Sequence, residues 1–279
     1  SFRVMNVYIL VALLAVTVSA SPFYRAESQG TEEDPIKQLE RMAHVQDQYH
    51  LVEKPNLSLQ SNMTDLVLKA GDALDLYCNT VSTPQSNVFW TLNGRLVQGT
   101  RRRSFMERIV NHDNMMIATG IAHSHFHSPC VDSSFNGKFT CFASNGFTME
   151  KKTITVTVEG SKMCEKPVIR APHVTLWTDA RYENIGNSVI LMCRRNVAMA
   201  ETVWYNEERK AINDAQGYHV LPNGDLYIPV LKWEMMGNYY CSVRNEVGEE
   251  RVESFLYPTD PNAPSTFDEE ETEDQAFSL

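Results

Sequence analysis

Reactive side chains are few in this chain: six cysteines, three histidines set two residues apart, and a run of arginines. His123, His125 and His127 alternate, so on a β-strand all three imidazoles point to one face, close enough to share a metal ion. Against that, no carboxylate completes the set locally, the segment falls where a strand would be ending, and short histidine runs in loops are commonly solvated. No metal is therefore assigned. Arg101, Arg102 and Arg103, with Arg95 and Arg108 nearby, form a basic patch suited to an anionic glycan or protein surface. The plainer reading is a charged edge strand that resists sheet-to-sheet pairing, and the run is also a candidate site of proteolysis. There is no nucleophile elbow, no paired-histidine zinc helix and no phosphate loop, so the expectation is a binding protein without catalysis or cofactor.

The cysteines are more specific. Cys78 is followed by Trp90 and then by Cys141, with Phe139 two places before it; Cys193, Trp204, Cys241 and Tyr239 repeat the pattern. In an immunoglobulin-type sandwich a disulfide between strands B and F crosses the core, and the strand C Trp packs against it. Tyr239 stands where a tyrosine corner would bond its hydroxyl to the preceding turn, whereas Phe139 lacks that hydroxyl. The expected fold class is all-β, two tandem immunoglobulin-like I-set sandwiches.

Cys130 and Cys164 remain, one before strand F and one just after strand G of the first sandwich. A third disulfide is the economical reading and would restrict hinging between the domains. It rests on the sandwich assignment, and free thiols or intermolecular bridges are the alternatives.

The elements that would carry these residues read as follows. Residues 1–20 look like a signal peptide, with an apolar run from Val7 to Val18, small residues before Ser21 and Met5 as the start. Residues 21–54 are polar, weakly helical from Asp34 to Tyr49 and largely disordered. The first sandwich spans 55–159: Leu74, Leu76 and Cys78 alternate on strand B, Asn87 to Leu92 is strand C with an Asn93-Gly94 turn, Lys138 to Ala143 is strand F and Thr153 to Val158 strand G. After a linker at 160–167 the second sandwich spans 168–258, with Val189, Leu191 and Cys193 alternating, an Asn223-Gly224 hairpin, and a last strand ended by Pro258. An acidic disordered tail covers 259–279.

The net charge of −10 is concentrated in that tail, which holds seven carboxylates and no Lys or Arg, and this argues against nucleic acid. No segment is long and apolar enough for a membrane span, so the mature protein is expected to be secreted and extracellular. Asn56 and Asn62 begin glycosylation sequons.

Longer blocks in the second half narrow the reading: Thr175-Leu176-Trp177-Thr178-Asp179-Ala180-Arg181, then Leu221-Pro222-Asn223-Gly224-Asp225-Leu226-Tyr227-Ile228, then Leu231 to Tyr239, and Glu253-Ser254-Phe255-Leu256-Tyr257-Pro258. They resemble the nematode zwei-immunoglobulin proteins, secreted proteins of two I-set domains, and more distantly the insect imaginal morphogenesis protein-late family. The resemblance is dense over the second sandwich and loose over the first, and Cys130 and Cys164 look like a feature of the nematode group. One departure is that Phe135 and Met235 stand where the family carries an Asp six residues before the second Cys. The resemblance implies a factor that binds neuronal surface or matrix proteins and maintains axon and neuron position. The insect relatives imply instead an extracellular antagonist that binds insulin-like peptides. Homophilic adhesion is a third reading.

Overall fold

The computed structural model describes residues 50–61, 63–101, 106–165, 169–212 and 217–262. The expected signal peptide, nearly all of the N-terminal segment and most of the acidic tail lie outside them. In the first sandwich the strands are β1 (Asn56–Gln60), β2 (Leu66–Lys69), β3 (Leu74–Thr83), β4 (Asn87–Leu92), β5 (Arg95–Gln98), β6 (Thr119–Ser128), β7 (Gly137–Ser144) and β8 (Met149–Glu159), with a short helix α1 (Met106–Val110) before β6. The second comprises β9 (Val174–Asn184), β10 (Val189–Leu191), β11 (Cys193–Arg195), β12 (Glu201–Tyr205), β13 (His219–Val220), β14 (Leu226–Ile228), β15 (Gly237–Arg244) and β16 (Glu249–Thr259). Among the described residues no helix is long and apolar enough to cross a membrane.

Period-two patterning makes the strands. Along β3, Leu74, Leu76 and Cys78 are buried while Asp75 and Tyr77 are exposed, as alternation across a half-covered sheet requires. The β4–β5 hairpin turns at Asn93 (φ 51°) and Gly94 (φ 82°), the positive pair that an Asn-Gly turn supplies. Trp90 and Trp204 are both fully buried, each with its indole N–H satisfied: by Ser124 Oγ at 2.9 Å in the first core and by the Gly224 carbonyl at 2.9 Å in the second.

The two sandwiches are not independent beads. Strand β6, an edge of the first, pairs antiparallel with β9, the first strand of the second, from Thr119↔Tyr182 to Ser124↔Leu176. One long sheet results, in the order β1-β3-β6-β9-β16-β15-β12, with β11 also on β9; β2-β8-β7-β4-β5 and β10-β14-β13 form two shorter sheets. Paired residues share a face. Ser82, Gly120, Arg181 and Leu256 make one such row across four strands, all buried, so both cores lie on the same side of the long sheet.

Two expectations are corrected here. Pro258 does not end pairing: β16 continues to Thr259, with Pro258 opposite Glu183 of β9. Pairing with β15 has already stopped at Leu256, so the proline ring faces one neighbouring strand only and its missing N–H leaves the ladder intact. The alternation through Val189, Leu191 and Cys193 is also incomplete, because Ile190 and Met192 are buried too and join the first core's cluster.

Candidate functional site

Among the described residues, no element packs over the opposite side of the long sheet across the junction. Val81, Ile121, Ala180 and Phe255 form a row in register over β3, β6, β9 and β16, and Tyr182 and Tyr257 form the next pair along. Val81, Phe255 and Tyr257 are each 37% exposed, and Trp233, from the turn before β15, is 51% exposed with its ring edge-on to Tyr257 at 6.4 Å. Aromatic side chains with only two rotatable bonds each, mounted on strands, offer contact area at small entropic cost.

At the other end of this face stands a histidine cluster. His125 and His127, both on β6, approach one carboxylate oxygen of Asp75 on β3 at 2.7 Å, through Nε2 and Nδ1 respectively. Tyr77 stacks on His125 with centroids 4.1 Å apart. His173, just before β9, sets its Nδ1 2.7 Å from Glu250 of β16, and its ring lies 4.4 Å from His125 and 5.3 Å from His127. Burial alone would raise the Asp75 carboxyl, but the bonds from His127 and His125 outweigh it and hold it below the usual range. Burial pushes His125 down, with Asp75 opposing, so its imidazole favours the neutral form. Glu250, although burial works the other way, is held low by His173 and the Val174 N–H.

Behind the face the seam is locked by polar groups. The fully buried Arg181 guanidinium reaches Glu107 of α1 at 3.1 Å, Glu183 at 3.4 Å and the Thr119 carbonyl at 3.3 Å. Glu183 in turn accepts from the backbone N–H groups of Ile117 and Ala118 at 2.9 and 3.0 Å. Asn111 exchanges two bonds with the Ser188 backbone, at 2.9 and 2.7 Å.

The residues singled out in the sequence fall as follows. Disulfides join Cys78 to Cys141, Cys193 to Cys241 and Cys130 to Cys164. Phe139 and Tyr239 are buried, and the Tyr239 hydroxyl donates to the Met235 carbonyl at 2.9 Å. Asn56 is exposed at the start of β1, while Asn62, Arg102 and Arg103 lie outside the described residues. Arg95, which opens β5, and Arg101, just beyond it, are exposed, and among the described residues β5 is the last strand of its sheet. Arg108 does not belong to a surface patch: it is buried, donates to the Asn145 carbonyl and sits 5.1 Å over the Phe147 ring. Its place on α1 turns it inward, which proximity in sequence to the arginine run could not reveal.

All three histidines of the run lie within β6, but they separate: His123 stacks on Trp177 at 5.3 Å and faces Asp179 at 3.6 Å, away from the other two. Sequence reasoning missed Asp75, His173 and Glu250. The outward position of Asp75 in the β3 alternation was a usable signal; nothing local marked the other two.

The I-set immunoglobulin domain model matches residues 57–158. Zwei Ig domain protein zig-3 of Caenorhabditis elegans is 31% identical over 90% of this chain and 97% of its own length. Zwei Ig domain protein zig-4 of the same organism is 30% identical over 90% and 96%. The crystal structure of the neural ectodermal development factor IMP-L2 superposes with a TM-score of 0.56 at 25% identity, covering 74% of this chain and 96% of that one.

Proposed function

The chain belongs to the Zwei Ig domain family of immunoglobulin-domain proteins, and from that premise we propose that it is a secreted, non-enzymatic binding protein whose partner docks on the uncovered face of the long sheet. The partner class is an extracellular protein of neuronal surfaces or matrix, and the outcome of binding is maintenance of axon and neuron position. The observation that carries the reading is the apolar row Val81, Ile121, Ala180 and Phe255 with Tyr182, Tyr257 and Trp233, which crosses both sandwiches on one side of the long sheet, the small Ala180 being buried between its larger neighbours and Val81, Phe255, Tyr257 and Trp233 exposed. Exposed contiguous apolar surface of this kind marks interaction sites. The likeness to a neural ectodermal development factor supports the neuronal class.

The test is surface-binding of the full, oxidised chain against the same organism's neuronal surface and matrix proteins, with its insulin-like peptides on the same chip. Saturable binding to a surface or matrix protein, lost on Phe255→Asp, is expected. Saturable binding to a peptide alone would replace the reading with a hormone antagonist. Self-association by sedimentation without any other partner would replace it with homophilic adhesion.

A further inference from the structure

We propose that Asp75, His125, His127 and His173 form a binding site for a zinc-type divalent transition ion on the seam between the two sandwiches. The ligating atoms of Asp75, His125 and His127 all lie within 4.8 Å of one another. They are held there by backbone pairing: Asp75 stands directly opposite His127 in the β3–β6 ladder, and His125 is two residues along β6 on the same face. A site built on adjacent strands keeps its geometry better than one on loops.

The fourth ligand comes from the second sandwich. With its Nδ1 on Glu250, His173 keeps Nε2 as the nitrogen available for a metal, and that atom is buried with no hydrogen-bond partner. A buried polar atom left unpaired is costly, and such exceptions need a reason. The ring lies 4.4 Å from His125 and 5.3 Å from His127 by ring centroids, and although His173 stands outside the close group of the other three ligand atoms, it would join them by a side-chain rearrangement on metal binding. Glu250 is placed as the outer carboxylate that fixes the tautomer and raises the basicity of a metal-bound histidine.

The donor set selects the ion. Three imidazole nitrogens and one carboxylate oxygen suit zinc, cobalt, nickel or copper in four-coordination, whereas calcium and magnesium require mainly oxygen ligands. In the absence of metal the same residues serve as a hydrogen-bonded charge cluster, which is the ordinary reading that the experiment must exclude. Binding would tie strands β3 and β6 of one sandwich to His173 of the other, and so stiffen the face on which a partner docks.

The test is calorimetric titration of the full, oxidised chain with zinc, together with the visible spectrum of the cobalt complex. One saturable site per chain is expected, with the intense absorption of tetrahedral cobalt, no response to calcium, and a melting temperature raised by zinc. His127→Ala, Asp75→Asn and His173→Ala each remove a ligand and should each weaken binding at least about tenfold, the least that losing even an outer partner of a ligand costs. His123→Ala, at a position turned toward Asp179, should leave the affinity unchanged. Absence of a saturable heat, or zinc binding that survives the double variant His125→Ala, His127→Ala in a chain that still melts cooperatively, overturns the proposal. An unchanged affinity in His173→Ala overturns the assignment of a site spanning the seam.

Discussion

The guanidinium of Arg181, on β9 of the second sandwich, lies 3.1 Å from the carboxylate of Glu107, on α1 of the first, with the arginine wholly removed from solvent. Glu183, equally buried, is its second partner at 3.4 Å. Removing one member of such a group strands the others in a low-dielectric interior. Arg181→Ala should therefore lower the stability by about 3–5 kcal/mol, read as a shift in the urea midpoint. Arg244→Ala breaks an ion pair with Glu201 of similar length, 3.0 Å, but on the surface, and should leave the midpoint where it was.

Glu107 also makes the seam sensitive to pH. Burial, the leading cause, raises its carboxyl above the ordinary glutamate value of 4.5, against the pull of Arg181 and the Ile190 N–H. The folded chain then holds this proton more tightly than the unfolded chain. Its contribution to stability is greatest at low pH and declines as the pH climbs through 4.5 toward the folded value. The melting temperature of the native chain relative to Glu107→Gln, which does not titrate, should fall as the pH rises from about 4 upward. A relative rise over that range would contradict the burial argument.

The hydroxyl of Tyr239 donates to the Met235 carbonyl at 2.9 Å, and burial raises its pKa far from the physiological range. Tyr239→Phe keeps the ring and deletes that bond, so a loss of about 1 kcal/mol is expected in chemical denaturation. The first sandwich has Phe139 at this position and nothing equivalent to lose.

The Cys130–Cys164 bridge closes a segment of 34 residues between the end of β6 and the chain beyond β8. Replacing both by Ser should cost about 2–4 kcal/mol while the cross-core disulfides keep the fold. Mass spectrometry of unreduced peptides checks the pairing, and thermal unfolding reads the loss.

Phe255→Asp should abolish partner binding in a chain that still melts cooperatively; the side chain is 37% exposed and its ring lies 6.4 Å from that of Tyr257, so a loss of only about 1 kcal/mol is expected. A large drop in melting temperature would show that Phe255 serves the fold rather than the partner.

The sequence by itself determined the two cores. Cys78, Trp90 and Cys141, and Cys193, Trp204 and Cys241, declare themselves because each set answers to one local geometry, an indole packed on a disulfide between two sheets. Alternation on β3 likewise told which residues turn outward, Asp75 and Tyr77 among them. What only the tertiary structure decided is which strand stands beside which. His125 meets a carboxylate 50 residues away on β3, and Arg181 meets one 74 residues away on α1. Neither partner is encoded by spacing, because period two fixes the face of a strand but not its neighbour. That choice was made when β9 closed the free edge of β6, burying one row of side chains against both cores and turning the alternate row, Val81, Ile121, Ala180 and Phe255, to the opposite side of the sheet.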